Sequence, residues 1–408
     1  MSHRNFLKVF IAGILSGIAC VSSILLILLL SGKLNITAEL DGKEKEEGSI
    51  ITKDISEKSE LISSYIDKYY MGKVDNEKMS SSIYKGIVNG LGDKYAAYYT
   101  SEEYEAITEK SNGIYCGIGA YVSQNTTTGA ITIVKPMSGG PAQKAGIKAG
   151  DIICGVDGKD VTEKDLTEVL SMVKGKKGSQ VELKIYRKGE RNYLNIKVIR
   201  DDIEEETVVY TMLDNNIGYI QVSGFEAVTA KQFKKAVDKL EKKGEKALII
   251  DLRDNGGGLL DVAVEMLDRI LPKKLVVYTK DKQGTAEEYY AKDNKKVSVP
   301  IAILVNEYSA SASEVFAGAL QDYGVAKLVG TKTFGKGIVQ TVFNMTDGTA
   351  LKMTVAKYYT PKGRYIQDKG LKPDISVKLN ENIMPQSQGK IKIKIDNQMK
   401  KAIDYLNK

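Results

Sequence analysis

The chain has 408 residues, of which 42% are hydrophobic and 27% charged, and its formal net charge is +7. This length exceeds one ordinary hydrophobic core, and the composition is that of a globular chain, which excludes a fully disordered protein. Lysines are spread along the sequence with Asp and Glu between them, so the sequence lacks the clustered basic face that nucleic-acid binding needs. We therefore expect two or three domains and no nucleic-acid partner.

An uncharged apolar run, residues 9–32, lies near the N-terminus. A helix needs roughly 20 apolar residues to cross a bilayer, so this run is long enough. Arg4 and Lys8 precede it and an acidic linker follows, so residues 1–8 are expected in the cytoplasm and the rest outside. A cleaved signal peptide has a shorter apolar region of ~7–15 residues, and the run continues past a lipoprotein-like site at Cys20. The sequence predicts an uncleaved, single-pass anchor in the cell membrane.

Three folded regions are predicted after a charged linker at residues 33–55. Helical apolar spacing predicts a small helical region over residues 56–112. Short strands and glycine turns predict a mostly β domain over residues 113–200. Strands that alternate with helices predict an α/β core with a largely parallel sheet over residues 201–380. The tail, residues 381–408, is expected on the surface or in a subunit contact.

Histidine occurs once, as His3, so imidazole cannot serve a site in the folded part. A serine nucleophile would then need another base, and a lysine can take that role. Ser311 follows the predicted strand 301–305 where a helix starts, which places a hydroxyl at the carboxyl edge of the sheet. The first helical amides, beginning with Ala312, can face an oxyanion there. The structural alternative is a helix cap, because Ser311 and Glu314 form a capping-box pattern.

Two further segments could complete such a site. Lys336 precedes a strand whose alternation puts Gln340 on the same face, so Gln340 could orient the amine. Burial would lower the pKa of this lysine, as a general base requires, whereas a plain surface lysine is the alternative. Residues 251–258 end in three glycines, which let backbone N–H groups approach a bound group. This turn lacks the Lys-Ser/Thr ending of a phosphate-binding loop.

The order of residues 113–200 resembles a PDZ domain of the bacterial-protease type. The motif that carries the resemblance is Pro-Ala-Gln-Lys-Ala-Gly-Ile-Lys-Ala-Gly-Asp-Ile-Ile, residues 141–153. In that fold a loop, here Gly117, Ile118 and Gly119, offers backbone N–H groups to the terminal carboxylate of a peptide, while the next strand pairs with the peptide. The resemblance implies that the domain binds polypeptides with free apolar C-termini.

A larger part of the chain, residues 85–375, resembles the carboxy-terminal processing peptidases, also called tail-specific proteases. The motifs that carry this resemblance are found at residues 251–258, 309–314, 321–322, 334–340 and 370–374. The resemblance implies that Ser311 is the nucleophile, Lys336 the general base and Gln340 its orienting partner. It implies oxyanion donors from the backbones of Gly257 and Ala312. It also implies a homodimer, and neither a metal nor an organic cofactor.

The sequence departs from the family pattern at three places. Gly256 stands where many relatives carry proline, which should be tolerated. Lys174 stands where many carry an arginine that is discussed as coupling the PDZ domain to the active site, which leaves such coupling open. Residues 92–98 follow the pattern loosely, which we expect to matter little for the chemistry.

Together these features predict a membrane-anchored serine endopeptidase that cleaves proteins near their C-termini. One alternative is a catalytically silent PDZ adaptor, but Ser311 and Lys336 are both present. Another is an acyl-transfer enzyme acting on a small thioester, against which a peptide-binding domain argues. Whether the enzyme trims single tails, degrades whole proteins or serves a signalling cascade stays open. Cys116 and Cys154 are expected to be buried thiols.

Overall fold

The computed structural model describes residues 50–293, 297–380 and 396–408. The predicted membrane anchor, residues 9–32, lies outside these ranges. Among the residues that are described, no helix is both long enough and apolar enough to cross a bilayer. The described residues fall into two compact units, which divide between Asp75 and Asn76.

The helices of the described residues are α1 (Lys53–Tyr69), α2 (Asn76–Asn89), α3 (Ser101–Asn112), α4 (Pro141–Lys144), α5 (Leu166–Val173), α6 (Thr229–Lys242), α7 (Leu260–Asp268), α8 (Ala312–Asp322) and α9 (Asn397–Leu406). The strands are β1 (Ala97–Tyr99), β2 (Ile114–Gly117), β3 (Ala120–Gln124), β4 (Ile131–Pro136), β5 (Ile152–Val156), β6 (Lys159–Asp160), β7 (Gln180–Tyr186), β8 (Leu194–Ile199), β9 (Asp201–Glu204), β10 (Val208–Met212), β11 (Ile217–Val222), β12 (Ala247–Asp251), β13 (Leu275–Asp281), β14 (Ala286–Tyr290), β15 (Ile301–Val305), β16 (Ala326–Gly330), β17 (Ile338–Asn344), β18 (Ala350–Tyr359) and β19 (Ile375–Ser376).

The predicted helical region, residues 56–112, is divided between the two units. Helix α1 belongs to the first unit, whereas α2 and α3 belong to the second. The Thr52 hydroxyl caps α1 by accepting the N–H of Ile55 at 3.4 Å, and no residue of α1 is buried. Helix α3 begins with a full capping box between Thr100 and Glu103 and ends at Gly113 in a left-handed conformation. Local capping therefore sets the ends of both helices.

The PDZ region is mostly β, as predicted. Strands β3-β4-β5-β7-β8 form an antiparallel sheet with β3 at one edge, and the short β6 pairs with β5. Alternate residues of β7, namely Val181, Leu183 and Ile185, are completely buried, which is the period-2 pattern of a half-buried strand. Strand β2 pairs separately with β9, so a two-stranded ribbon joins both ends of this region.

The α/β core is built on a six-stranded sheet in the order β10-β11-β12-β15-β16-β19. Four of its five strand pairs are parallel, which confirms the predicted largely parallel sheet. Every residue of β12 and β15 is buried, because helices cover both faces. Helix α6 packs its apolar side against this core, and its buried Phe233 and Leu240 each contribute ~1.5–3 kcal/mol through burial.

A second sheet, also within residues 76–408, is antiparallel. Its strands run in the order β1-β18-β13-β14, with β17 also paired to β18. Strand β1, which follows α2, pairs with β18 in a register that places Tyr98 opposite Leu351. The sequence pattern does not predict this sheet, because β1 and β18 are about 250 residues apart. Through it, the segment after α2 becomes part of the same structure as the catalytic region.

The two cysteines outside the predicted anchor are unpaired. Cys154 is buried, whereas Cys116 is half-buried. Burial raises the pKa of both thiols. The expectation of buried thiols is therefore confirmed for Cys154 and met only in part at Cys116.

Candidate active site

Ser311 lies at the turn between β15 and α8. Its backbone has φ 56° and ψ −117°, a region that a non-glycine residue adopts at a cost of about 1–3 kcal/mol. The hydroxyls of its neighbours are used structurally: Ser309 is buried and donates to the Leu252 carbonyl at 2.8 Å, and Ser313 donates to the Asn255 carbonyl at 2.9 Å. Ser311 is half-buried. Ser309 and Ser313 thus have structural roles, which leaves Ser311 as the candidate nucleophile that the sequence predicts.

Lys336 is half-buried, and its surroundings favour the neutral amine. Burial lowers its pKa, Lys352 and Lys94 lower it further, and Asp93 opposes them. The amine nitrogen lies 4.5 Å from the centroid of the Tyr95 ring. An amine with a lowered pKa can accept a proton near neutral pH, as a general base must.

Ser311 and Lys336 are brought together through one carboxylate. The backbone N–H groups of Ser311 and Lys336 donate to the same oxygen, Oε2 of Glu314, at 3.0 and 2.8 Å. The contact from Ser311 is the reciprocal half of the capping box. The structural interpretation of Glu314 and the functional interpretation of Ser311 are thus compatible, because one glutamate caps the helix and contacts the segment of the lysine.

The glycine turn after β12 packs directly against Ser311. A Cβ atom at Gly257 would lie 2.6 Å from the Ala310 carbonyl oxygen, 2.9 Å from Cβ of Ser311 and 3.0 Å from the Ala312 nitrogen. Glycine is required here, since φ is also positive, at 98°. The chain thereby brings the turn to the amide that is predicted to face the oxyanion.

The two predicted oxyanion donors differ in their present partners. The N–H of Gly257 donates to Oδ1 of Asn255 at 2.9 Å. The N–H of Ala312, the first residue of α8, has no hydrogen-bond acceptor within the described ranges. Ala312 is therefore available to a developing oxyanion, whereas Gly257 would first have to leave Asn255.

Gln340 lies on β17 opposite Thr354 of β18. Its Nε2 donates to Oγ1 of Thr354 at 3.2 Å and to the Ile338 carbonyl at 3.5 Å. Both contacts run to residues other than Lys336, and the register shift between Val339 and Gln340 leaves the extra residue on β18. The contact between Gln340 and the amine of Lys336 therefore stays a prediction.

The segment 92–98 contributes to the surroundings of Lys336, so the expectation that it matters little for chemistry is wrong. Asp93 accepts the Tyr95 N–H at 2.9 Å and the Thr354 N–H at 3.3 Å, which fixes the turn against β18. The same turn supplies the Tyr95 ring to Lys336. A signal for this role was present in the sequence as an Asp two residues before Tyr95, the spacing of an Asx-turn.

The predicted peptide-binding loop of the PDZ domain has a distinct hydrogen-bond pattern. The carbonyls of Ile118 and Gly119 accept the N–H groups of Ala142 and Met137 at 2.7 and 2.9 Å. For the N–H groups of Ile118 and Gly119 themselves, the described part of the chain supplies no acceptor. Gly117 ends β2, just before the loop. The loop leads into β3, the edge strand of its sheet, which is the arrangement that the predicted peptide binding requires.

The two single-residue departures from the family pattern have clear structural settings. A Cβ atom at Gly256 would meet no atom within 4 Å, in agreement with the expected tolerance. Lys174 follows the last residue of α5 and forms an ion pair with Glu109 of α3 at 3.1 Å. Its amine also lies 5.3 Å from the centre of the Tyr115 ring. Lys174 thus contacts the segment just before the PDZ domain.

These features define the class of the protein. A strained serine between a strand and a helix, an unpaired helix amide and a glycine turn beside it are the parts of a serine-type peptidase on an α/β core. In the described ranges, no group of three or more His, Cys, Asp or Glu side chains could hold a metal ion.

Comparison with known proteins agrees with this class. A model of peptidase family S41 matches residues 216–377, and a PDZ domain model matches residues 116–198. The carboxy-terminal processing protease CtpA of Bacillus subtilis is 40% identical over 311 residues, covering 76% of this chain and 66% of that protein. A probable CtpA-like serine protease of Staphylococcus epidermidis is 36% identical over 382 residues, covering 92% of this chain and 75% of that protein.

The chain belongs to the carboxy-terminal processing peptidases, a family of serine peptidases. Among solved structures, a photosystem II D1 C-terminal processing protease is 29% identical, with a TM-score of 0.46, and covers 78% of this chain and 86% of its own.

Proposed function

We propose that this protein is a membrane-anchored serine endopeptidase that uses a Ser311–Lys336 dyad to cleave proteins near their C-termini. The observation that carries the proposal is the pair of amides, one from Ser311 and one from Lys336, on a single oxygen of Glu314. It joins a reactive serine to a lysine whose pKa is lowered by burial. In a chain whose sole histidine is His3, this lysine is the base that the site offers.

In the proposed mechanism, the neutral amine of Lys336 takes the proton of the Ser311 hydroxyl as the oxygen attacks the scissile carbonyl. The N–H of Ala312 donates to the oxyanion, supported by the positive end of the helix dipole. The Lys336 ammonium then gives its proton to the departing amine, which leaves an acyl-enzyme. Water, deprotonated by Lys336, hydrolyses this ester and restores the serine. The face of the Tyr95 ring stabilises the ammonium while it exists.

The PDZ domain has the proposed role of binding the free, apolar C-terminus of the substrate. The unpaired amides of Ile118 and Gly119 would hold the terminal carboxylate, and the peptide would extend the sheet along β3. The predicted anchor at residues 9–32 would hold the enzyme at the cell membrane with its catalytic part outside. Assembly as a homodimer, through the helical N-terminal region and the tail, is also part of the proposal.

The proposal is tested with the full-length protein in detergent and an unfolded polypeptide that ends in a free apolar C-terminus or in the same residue amidated. We expect wild type to cleave the free form faster, and Ser311→Ala and Lys336→Ala to cleave neither. Lys332→Ala is the matched control, because Lys332 is an exposed lysine of the same loop. Full activity of Ser311→Ala would refute the assignment of the nucleophile. Tail binding without cleavage by wild type would instead favour a PDZ adaptor.

A further inference from the structure

Building on the Ser311–Lys336 dyad proposed above, we propose that Glu314 is a positioning residue that fixes the nucleophile and the base relative to each other, with Tyr358 as its counterpart. Neither side chain is needed for proton transfer itself. Their role is to hold the backbone of both reacting residues from two sides.

The carboxylate of Glu314 is completely buried and accepts four hydrogen bonds. Oε2 accepts the N–H groups of Ser311 and Lys336 at 3.0 and 2.8 Å. Oε1 accepts the N–H of Gly335 at 2.8 Å and the hydroxyl of Thr333 at 2.5 Å. Each oxygen therefore has two donors, and both link α8 to the segment that carries Lys336.

The four donors require the ionised form of Glu314. Three are backbone N–H groups, which cannot accept a proton, and the fourth is the hydroxyl of Thr333. That hydroxyl already accepts the N–H of Leu371 at 2.6 Å, so its own proton points to Glu314. Burial raises the pKa of Glu314, and the hydrogen bonds oppose this effect. A protonated side chain would leave at least one of these buried donors without an acceptor.

Tyr358 makes the same connection through the carbonyl groups. Its hydroxyl, on β18, contacts the carbonyl oxygen of Ser311 at 3.2 Å and that of Lys336. The ring is buried, and burial raises the pKa of Tyr358, which keeps the hydroxyl protonated as a donor. The Tyr358 hydroxyl has one proton and donates it to one of these two carbonyls at a time, whereas Glu314 accepts the N–H groups of Ser311 and Lys336 together.

This double link acts on the strained residue. The φ of 56° at Ser311 costs about 1–3 kcal/mol, which surrounding contacts must offset. Both polar groups of the Ser311 backbone have partners that also hold Lys336. If the link is loosened, Ser311 can relax toward an ordinary conformation, and the hydroxyl moves away from the amine. Displacements of about 1 Å in an active site can reduce the rate ~100-fold.

The test uses Glu314→Gln in the full-length protein. The amide nitrogen of Gln cannot accept a hydrogen bond, so whichever end it occupies faces two donors, and one pair of contacts is lost. We expect kcat on a short peptide to fall about 10- to 100-fold with KM within about twofold of wild type. Labelling of Ser311 by a fluorophosphonate should slow in parallel. Tyr358→Phe should lower kcat in the same direction by a smaller factor.

The control is Leu320→Ala, which removes a fully buried side chain from the same helix. It should lower the melting temperature and leave kcat unchanged at temperatures where the protein is folded. An equal loss of kcat in Leu320→Ala and Glu314→Gln at matched loss of stability would overturn the positioning role. If Glu314→Gln does not fold, Tyr358→Phe decides, and an unchanged kcat overturns the proposal.

Failure of the dyad is distinguishable from failure of this inference. Cleavage and labelling that persist in Ser311→Ala would refute the dyad itself. Loss of both in Ser311→Ala and Lys336→Ala, with wild-type kcat in Glu314→Gln, would refute the positioning role alone.

Discussion

Two regions of the molecule are proposed to bind an oxygen with negative charge through backbone N–H groups, and they differ in how many of those groups lack a hydrogen-bond partner. In the PDZ loop, the carbonyls of Ile118 and Gly119 are fixed by hydrogen bonds, while their N–H groups find no acceptor in the residues that the structure describes. In the catalytic region, the Ala312 N–H is unpaired in the same sense, but Gly257 donates to Asn255.

The difference indicates that the proposed tail-binding loop is closer to its ligand-binding arrangement than the proposed oxyanion site is. If the PDZ loop binds a carboxylate as proposed, none of the hydrogen bonds of Ile118 and Gly119 has to break. The catalytic turn has one free donor, and its second donor must exchange Asn255 for the substrate. An oxyanion-hole donor typically contributes 10²–10³ in kcat, so this exchange matters for the rate. Substitutions that affect one region and spare the other test the comparison.

The largest effect is expected for Gly257→Ala. The new Cβ would overlap the Ala310 carbonyl oxygen at 2.6 Å and approach Ser311, and both contacts involve atoms that cannot rotate away. We expect kcat to fall by about 10²–10³ while the affinity for a tail peptide is unchanged. Steady-state cleavage of a short peptide and fluorescence binding of a labelled tail measure the two effects.

Gly256→Ala is the matched control for this prediction. It adds the same methyl group at the neighbouring position, where no atom lies within 4 Å, and kcat should stay within about twofold of wild type. An equal loss of kcat in both variants would mean that the turn tolerates no side chain at either position, and that close packing at Gly257 is not the cause.

A smaller effect is expected for Gly119→Ala, and it should fall on tail affinity instead of kcat. A Cβ there would lie 2.8 Å from Cδ1 of Ile203 at a φ of 68°, so the loop must shift or remain strained. We expect tail affinity to fall about tenfold, a free-energy change of ~1.4 kcal/mol, while kcat at saturating short peptide is unchanged. Gly146→Ala, also at positive φ but with open space around it, is the control and should keep its tail affinity.

The pH dependence should also separate the two regions. Lys352 lowers the pKa of Lys336, after the larger effect of burial, and Asp93 raises it. Activity requires the neutral amine, so it rises as pH passes the pKa of Lys336. Lys352→Gln raises that pKa and should move the acid limb of kcat to higher pH, whereas Asp93→Asn should move it to lower pH. Tail binding should show neither displacement, and an unmoved acid limb in both variants would mean that Lys336 is not the base.

The sequence predicts those parts of the fold whose signals are local. The mostly β character of residues 113–200 and the strand at residues 301–305 follow from patterns within short segments. The position of Ser311 follows from a strand followed by a helix start. The resemblance to a known family adds Lys336, which local pattern alone leaves as one lysine among many.

The remaining features depend on contacts between distant segments or on single hydrogen bonds. The pairing of β1 with β18 brings Tyr95 to Lys336, and no local pattern encodes a contact across that separation. The hydrogen bond from Gln340 to Thr354 likewise joins two strands, and the alternation of β17 alone does not indicate it. The hydrogen bond from the Gly257 N–H to Asn255 forms an Asx-turn. The glycine-rich sequence alone does not show whether this N–H is bound to Asn255 or has no partner.

The smallest effect is expected where the PDZ domain meets α3. Lys174 and Glu109 form an ion pair at 3.1 Å, with side chains 47% and 39% exposed. Pairs this exposed contribute about 0–1 kcal/mol, so Glu109→Gln should change the free energy of unfolding by no more than that. If the pair also couples tail binding to cleavage, stimulation of kcat by a free tail peptide should weaken in Glu109→Gln, with basal kcat unchanged. This ion pair joins the end of α5, in the PDZ domain, to α3. If stimulation in Glu109→Gln equals that of wild type, the PDZ domain and the active site communicate by a route other than this ion pair.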